Sequence, residues 1–205
     1  MSTLKVNNIQ KKDGTALVTD GVAQTSLLTE TALRSAGIGM VKLSHSDFSG
    51  ASSQEFNNTI ITDSYLTYQI EAKLIFSSNS ELKFNISPDN GSTTTFSSTF
   101  SYHHSRNDSA SSGGNKSSSS NYMTTGWSPG SQTGDVLLMT IKLQNFRETT
   151  GYKWLKVHSN MNAQGSDYTW EGGGMIDLQT KQNYFKIYPT SGTMTGYATI
   201  YGLAK

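Results

Sequence analysis

The chain has 205 residues, no cysteine and a formal net charge of +1, with 34% hydrophobic and 15% charged residues. This length predicts one domain, or one domain with an appended segment, and without cysteine the chain has no disulfide, thiol nucleophile or cysteine-ligated zinc site. Neutral charge disfavours nucleic-acid binding, and because the sequence has neither a membrane-spanning apolar run nor an apolar signal-peptide core at its start, we expect no membrane insertion.

The first element in chain order is a small β-hairpin. Residues 3–9 have the pattern of a short strand, Asp13-Gly14 is a tight-turn pair, and residues 15–18 can return beside the first strand. Two strands alone are marginally stable in water. We therefore expect the hairpin to pack on a partner or on symmetry copies of itself.

Residues 25–37 predict the one convincing helix of the chain. Thr25 or Ser26 can cap its start and Gly37 can close it. Its partial apolar face is typical either of a linker helix lying on the next domain or of a bundle of identical helices. The apolar residues of this face are Leu27, Leu28 and Leu33.

From residue 39 onward the hydrophobic pattern has a period of two. The clearest stretch is 66–76, where apolar residues from Leu66 to Phe76 alternate mainly with polar ones. Further strand candidates are 41–45, 82–86, 95–103, 136–146, 153–159, 168–170 with 175–178, 184–188 and 197–203. Because no helical pattern separates them, we predict an all-β fold in which residues 39–205 form an antiparallel, jelly-roll-like β-sandwich after the segment of residues 1–38.

Serine, threonine and asparagine number 30, 25 and 14, about a third of the chain. In the predicted strands and turns they suit a solvent-facing surface that hydrogen-bonds without adding charge. Residues 105–120 differ because they are low in complexity and have almost nothing to bury. We predict a projecting loop there.

No pattern of catalytic residues stands out. The glycine run in residues 171–175 lacks the strand-to-helix context of a phosphate loop and predicts a bulge or bend instead. His103 and His104 would point to opposite faces of a regular strand, so we expect no metal site there. The sequence has no evident carboxylate pair for glycoside hydrolysis. We therefore expect a protein that is not an enzyme and needs no cofactor.

A sugar-binding surface fits the aromatic residues better. A sugar stacks its C–H face on a ring and hydrogen-bonds amides and hydroxyls, and several rings lie in or beside loops rich in Ser, Asn and Gly. The candidates for glycan binding are Tyr122, Trp127, Tyr168 and Trp170. Trp154 and Trp170 are also expected in the core of a sandwich, the interpretation that we favour for these two, whereas Trp127 is expected to be exposed.

The two ends of the chain resemble known proteins. The start reads STLKVNNIQ and leads into Asp13-Gly14-Thr15, and the end reads YFKIYPTSGTM followed by Tyr201-Gly202-Leu203. Both resemble small virion proteins of tailed phages that infect cyanobacteria and related aquatic bacteria.

This resemblance implies a structural protein of the phage particle, a homotrimeric short tail fibre or spike. Its N-terminal segment would dock on other tail, baseplate or capsid proteins, and its β domain would be displayed outward, where it can touch a host-surface glycan. The residues assigned to docking are Leu4, Val6, Ile9, Leu17 and Val18, and those assigned to trimer contacts are Leu27, Leu28 and Leu33. Since the chain has no long repetitive shaft, a capsid decoration protein or a tail adaptor without host contact is the alternative.

Overall fold

A computed structural model divides the chain into two compact units, Met1–Gly39 with Ala204–Lys205, and Met40–Leu203. It describes side chains for residues 39–93, 135–162, 167–175 and 179–203. It describes by backbone alone residues 9–10, 16–19, 22–23, 98–106, 112–118, 123–124, 163, 166, 176 and 204.

The first unit contains three short strands, β1 (Ile9–Gln10), β2 (Ala16–Thr19) and β3 (Val22–Ala23), paired antiparallel in one sheet. Most residues of the predicted hairpin, and all of the predicted helix, lie outside the described residues. Both elements therefore stay predictions.

The second unit consists of strands. They are β4 (Met40–Ala51), β5 (Gln54–Phe56), β6 (Tyr65–Phe76), β7 (Leu82–Ser87), β8 (Ser98–Arg106), β9 (Ser112–Ser118), β10 (Met123–Thr124), β11 (Val136–Gln144), β12 (Lys153–Ala163), β13 (Ser166–Ile176), β14 (Tyr184–Pro189) and β15 (Met194–Ala204). A larger, eight-stranded sheet has the order β4-β15-β6-β11-β12-β13-β8-β9, and a smaller, four-stranded sheet has the order β10-β7-β14-β5. The part of the chain that the structure describes contains no helix, so the predicted all-β, antiparallel fold is confirmed.

Both sheets contribute to one hydrophobic core because alternate residues of each strand point inward. Phe185 of the smaller sheet stacks on Phe84 at a centroid distance of 5.9 Å and meets Phe146 edge-on at 6.4 Å. Inner residues of β6, β11 and β12 complete the core from the larger sheet. The result is sandwich-like, but a jelly roll has eight strands in two sheets, whereas the strands described here divide eight and four.

The predicted alternation of β6 is correct from Tyr68 to Phe76 but not at its start. Leu66 is 39% exposed, and Tyr65 is buried in its place. Gly202 of β15 lies directly against the Tyr65 ring, so that a Cβ there would come within 2.4 Å of it. A neighbouring strand without a side chain at this position therefore makes room for the larger tyrosine.

The segment predicted as a projecting loop, residues 105–120, differs from that expectation. Its residues 112–118 form β9, which pairs antiparallel with β8 at the end of the larger sheet. An edge strand needs only backbone donors and acceptors toward one neighbour. A sequence of small polar residues can supply these without burying anything.

Candidate functional site

The most extensive patterned surface is the side of the larger sheet that faces away from the core. We call the outward-pointing side chains of β6, β11, β12 and β13 the outer face. Strand register places them in rows across the sheet. The rows read Lys73–Leu138–Asn160–Thr169, Glu71–Thr140–His158–Glu171, Gln69–Lys142–Lys156–Gly173 and Thr67–Gln144–Trp154–Met175.

The first two rows form the acidic half of the outer face, where each carboxylate has a partner that is not a lysine. Glu71 accepts hydrogen bonds from Gln69 Nε2 at 2.7 Å and from Thr140 Oγ1 at 2.9 Å. The Oε1 atom of Glu171 lies 3.0 Å from His158 Nδ1. These contacts fix the carboxylates in a cross-strand network.

Two shallow grooves run over the acidic half. One, of about 210 Å³, is lined by Glu71, Thr140, His158 and the Tyr197 ring of β15, among others. The other, of about 250 Å³, continues from it because Leu138 and Asn160 line both.

Hydrogen bonds hold the polar side chains beside these grooves. Asn162 Nδ2 donates to Asp167 Oδ1 at 2.7 Å, and Thr169 Oγ1 donates to Asn160 Oδ1 at 3.1 Å. Tyr197 is 38% exposed. The acidic half thus offers one ring face beside ordered amides, hydroxyls and carboxylates.

The other two rows form the basic half. Lys142 and Lys156 are register partners, both exposed, and neither forms an ion pair with any residue whose side chain is described. Next to Lys156, Gly173 adds no side chain to the row. Trp154, two residues before Lys156 on the same face of β12, is 46% exposed.

The glycine run of β13 is regular, contrary to the predicted bulge or bend. Gly172, Gly173 and Gly174 pair in unbroken register with Val157, Lys156 and Leu155. A Cβ added to Gly173 would lie 3.1 Å from the backbone oxygen of Leu155. The run therefore adds no side chain to the outer face beside Lys156, while the strand keeps an unbroken register.

The outer side of the smaller sheet carries a different charge arrangement. Lys186 Nζ of β14 lies 3.2 Å from Glu55 Oε1 of β5 and 5.5 Å from the centroid of the Tyr188 ring. Tyr188 donates in turn to Asn85 Oδ1 at 3.3 Å. Here the lysine has both a carboxylate and an aromatic partner.

Glu55 shows this compensation in its pKa. Partial burial raises the pKa of Glu55, but hydrogen bonds from Tyr184, Lys186 and Ser53 outweigh it and keep the pKa below its ordinary value. Burial, together with the hydrogen bond to Glu55, raises the pKa of Tyr184. The carboxylate of Glu55 is therefore held in its ionised form beside Lys186.

Two of the residues predicted to bind glycan belong to the core instead. Tyr168 is 8% exposed and Trp170 is 4% exposed. They point inward because they alternate along β13 with Asp167, Thr169 and Glu171, which face water. Trp170 therefore lies in the core, as the favoured interpretation predicts, and Tyr168 is largely buried although it lines the second groove. This burial does not support their assignment to glycan binding.

Trp154 corrects the sequence interpretation in the opposite sense. It was expected in the core, yet it stands on the outer face because Leu155 and Val157 of β12 take the inward positions. The alternation along β12 indicates this side, because Trp154 has the same parity as Lys156 and His158. The residue type of Trp154 does not indicate it.

The remaining predicted site residues lie where side chains are not described. Tyr122 and Trp127, and the trimer residues Leu27, Leu28 and Leu33, fall outside the described residues altogether, as do Leu4 and Val6. Of the docking residues, Leu17 lies in β2, and Ile9 and Val18 are register partners between β1 and β2.

Among residues with described side chains, no group of three His, Asp or Glu residues is arranged to hold a metal ion. Within the described chain no helix is long and apolar enough to cross a membrane. No protein-family model matches the chain, and no curated protein sequence matches it significantly.

Proposed function

We propose that this chain is a phage virion structural protein, a short homotrimeric tail fibre or spike, whose β domain binds a host-surface glycan through the outer face. The ends of the sequence, which resemble those of small phage virion proteins, support the virion assignment. The outer face supports glycan binding. It needs no catalytic residues and no cofactor for this role.

The observation that carries the glycan proposal is the combination of exposed rings and hydrogen-bonding side chains on one sheet face. Trp154 and Tyr197 are both partly exposed, and a sugar can stack on either ring. Amides, hydroxyls and carboxylates of the acidic half, beside Tyr197, can bond sugar hydroxyls without a large loss of side-chain entropy, because several are already held by neighbours. Such a shallow, polar, aromatic surface suits a saccharide better than it suits an apolar ligand.

Adsorption to bacterial surface polysaccharide tests this proposal. Purified protein is applied to immobilised lipopolysaccharide and capsular polysaccharide from cyanobacteria and related aquatic bacteria. We expect retention of the unchanged protein and loss of retention in the double variant Trp154→Ala, Tyr197→Ala. Tyr152→Ala is the matched control because Tyr152 is exposed but lies in the loop between β11 and β12. Equal retention of all three proteins would contradict the proposal.

Trimer formation is supported by an exposed apolar pair at the start of the second unit. Met40 of β4 and Leu203 of β15 are register partners and are 51% and 43% exposed. Exposed neighbouring apolar residues are a common feature of interfaces. Size-exclusion chromatography with light scattering should give the mass of three chains, and a stable monomer at micromolar concentration would refute the trimer.

Attachment to the particle through residues 1–38 is tested by deletion. We expect a phage that encodes the chain without these residues to yield particles lacking the protein, while the isolated β domain stays folded by circular dichroism. Retained incorporation would refute the assignment of docking to this segment.

A capsid decoration protein or a tail adaptor without host contact is the second candidate. The exposed Met40–Leu203 pair also suits permanent docking on another virion protein. This candidate predicts incorporation into particles together with no adsorption to any surface polysaccharide. The polysaccharide experiment therefore separates the two functions.

A further inference from the structure

We propose that the basic half of the outer face binds an acidic saccharide, one whose ring carries a carboxylate, sulfate or phosphate group. Lys142 and Lys156 would pair with the anionic group while Trp154 stacks on the sugar ring. This inference rests on the proposed glycan-binding function and adds the chemical class of the ligand.

Lys142 and Lys156 carry positive charges that no described carboxylate pairs with. Two lysines directly opposite each other on neighbouring strands repel, and such pairs destabilise a sheet. The carboxylates of the adjacent row, Glu71 and Glu171, are engaged with Gln69, Thr140 and His158. An anion bound between Lys142 and Lys156 would relieve the repulsion that the protein itself leaves in place.

The indole of Trp154 lies close to both lysines on the same face of the sheet. Trp154 and Lys156 are two residues apart on one strand, so their Cα atoms are about 7 Å apart. Lys142 lies diagonally across from Trp154, also within reach of a long side chain. A sugar ring stacked on the indole can therefore turn a ring substituent toward either amine.

The sheet leaves space beside Lys156 on β13. Gly173 occupies the next position in the same row and adds no side chain. Met175, which pairs with Trp154 across β12 and β13, is half-buried. The row is thus open on this side, so a ring can lie flat across β12 and β13.

The acidic half limits what kind of anion fits. A continuous polyanion such as a nucleic acid would extend from the lysines over Glu71 and Glu171, whose carboxylates would repel it, and two lysines neutralise few phosphates. A saccharide with one charged ring among neutral rings carries its charge at one place and presents neutral hydroxyls elsewhere. Neutral hydroxyls can bond the carboxylates and amides of the acidic half while the charged ring lies on the basic half.

Titration calorimetry with defined oligosaccharides tests the inference. The probes are an oligosaccharide with one uronate ring among neutral rings, the same oligosaccharide with its carboxylate reduced to an alcohol, and oligosaccharides of equal length with a single sulfate or phosphate group. We expect at least one anionic probe to bind at least about tenfold more tightly than the reduced one, as charge-assisted hydrogen bonds allow. The anionic probe that binds most tightly identifies the group.

Substitutions locate the site. Lys142→Gln and Lys156→Gln should each weaken binding of the anionic probe about tenfold, and Trp154→Ala should weaken binding of both charged and reduced probes. Lys73→Gln is the matched control, because Lys73 also belongs to the outer face but lies in the acidic half, and it should leave the affinity within about twofold. All four positions are exposed or half-exposed, and circular dichroism verifies that the variants are folded.

Two failures are distinguishable. If the reduced oligosaccharide binds as tightly as every charged one, or if Lys73→Gln weakens binding as much as Lys142→Gln, the acidic-saccharide inference is overturned while glycan binding stands. If no charged or neutral oligosaccharide binds and bacterial polysaccharide does not retain the protein, the proposed glycan-binding function fails with it.

Discussion

Lysines are placed in two different ways on the outer sides of the two sheets. On the smaller sheet Lys186 contacts the carboxylate of Glu55 and the ring of Tyr188. On the larger sheet Lys142 and Lys156 face each other, and neither forms an ion pair with a residue whose side chain is described. Among the residues with described side chains, lysine is thus compensated on the smaller sheet and left without an ion pair on the larger one.

This difference separates a surface that stabilises the fold from one that is available for recognition. A compensated charge has little to gain from a ligand, since a new contact must replace an existing one. An uncompensated pair lowers stability slightly and gains from any anion placed between its members. Four features of the molecule give predictions. They are the shared core, the backbone fit of the larger sheet, the ionised groups near the smaller sheet and the two sets of lysines.

The largest expected effect comes from the core, because both outer surfaces depend on it. Phe185→Ala removes a ring that contacts Phe84 and Phe146, and we expect it to lower the free energy of unfolding by about 3–5 kcal/mol. Urea denaturation followed by tryptophan fluorescence and circular dichroism measures the change. Leu138→Ala, on the outer face, is the control and should cost less than about 1 kcal/mol. If Phe185→Ala cost no more than Leu138→Ala, the smaller sheet would not share its core with the larger one.

The next effect tests how tightly β15 fits the larger sheet. Gly196 has a positive φ, and a Cβ there would lie 1.9 Å from the backbone oxygen of Lys73. Gly196→Ala must shift backbone as well as adopt a strained conformation, and we expect it to lower the free energy of unfolding by about 2–4 kcal/mol. Thermal unfolding measured by circular dichroism gives the difference.

Gly50→Ala is the matched control for Gly196→Ala. Gly50 also has a positive φ, but nothing lies within 4 Å of its added Cβ. This variant should show only the conformational cost, about 1–2 kcal/mol. Equal losses in the two alanine variants would mean that the backbone contact with Lys73 does not contribute.

The fold could be predicted from the sequence where alternation was strict. In β6 the residues from Tyr68 to Phe76 follow a period of two, and the structure buries them accordingly. The strand at residues 112–118 could not be found in this way, because an edge strand of Ser, Gly and Asn is specified by the neighbour with which it pairs. The burial of Lys153 could not be predicted from the local pattern either. Its amine donates to the backbone oxygens of Glu148 and Gly151.

The binding face was predictable in part, and the error is instructive. Trp154 and Tyr168 were judged by residue type and by nearby polar residues, whereas their sides of the sheet follow from the parity of Leu155 and Val157 in β12 and of Asp167 and Glu171 in β13. The pairing of Lys142 with Lys156 depends on the register between β11 and β12. Register is a property of the assembled sheet, so no local pattern could have placed these two lysines together.

A smaller effect concerns the ionised groups beside the smaller sheet. In the turn after β7, hydrogen bonds from Ser87 and Thr93 lower the pKa of Asp89 from 3.8 to about 2. A carboxyl group whose pKa is lowered by folding stabilises the protein at pH values above its pKa in the unfolded chain. This stabilisation is lost as the pH falls through its pKa in the folded protein. We therefore expect the free energy of unfolding to decrease between about pH 4 and pH 2.

The variant Asp89→Asn isolates this contribution because it removes the titration and keeps an acceptor in the turn. Its free energy of unfolding should depend less steeply on pH than that of the unchanged protein below pH 4, and equally above it. Urea denaturation at a series of pH values measures both slopes. Parallel profiles over the whole range would show that Asp89 does not carry this pH dependence.

The smallest effect tests the comparison of lysines directly. Lys186→Gln loses the ion pair with Glu55 and the contact with Tyr188, and since both charged partners are partly exposed we expect a loss of about 0.5–1 kcal/mol that shrinks at high salt. Lys142→Gln removes a charge that faces Lys156, so it should change stability by less than about 0.5 kcal/mol and in the stabilising direction, again most at low salt. Urea midpoints at low and high ionic strength give both signs. If Lys142→Gln were destabilising and salt-sensitive like Lys186→Gln, Lys142 would have a compensating partner in the folded protein, and the contrast between the two surfaces would disappear.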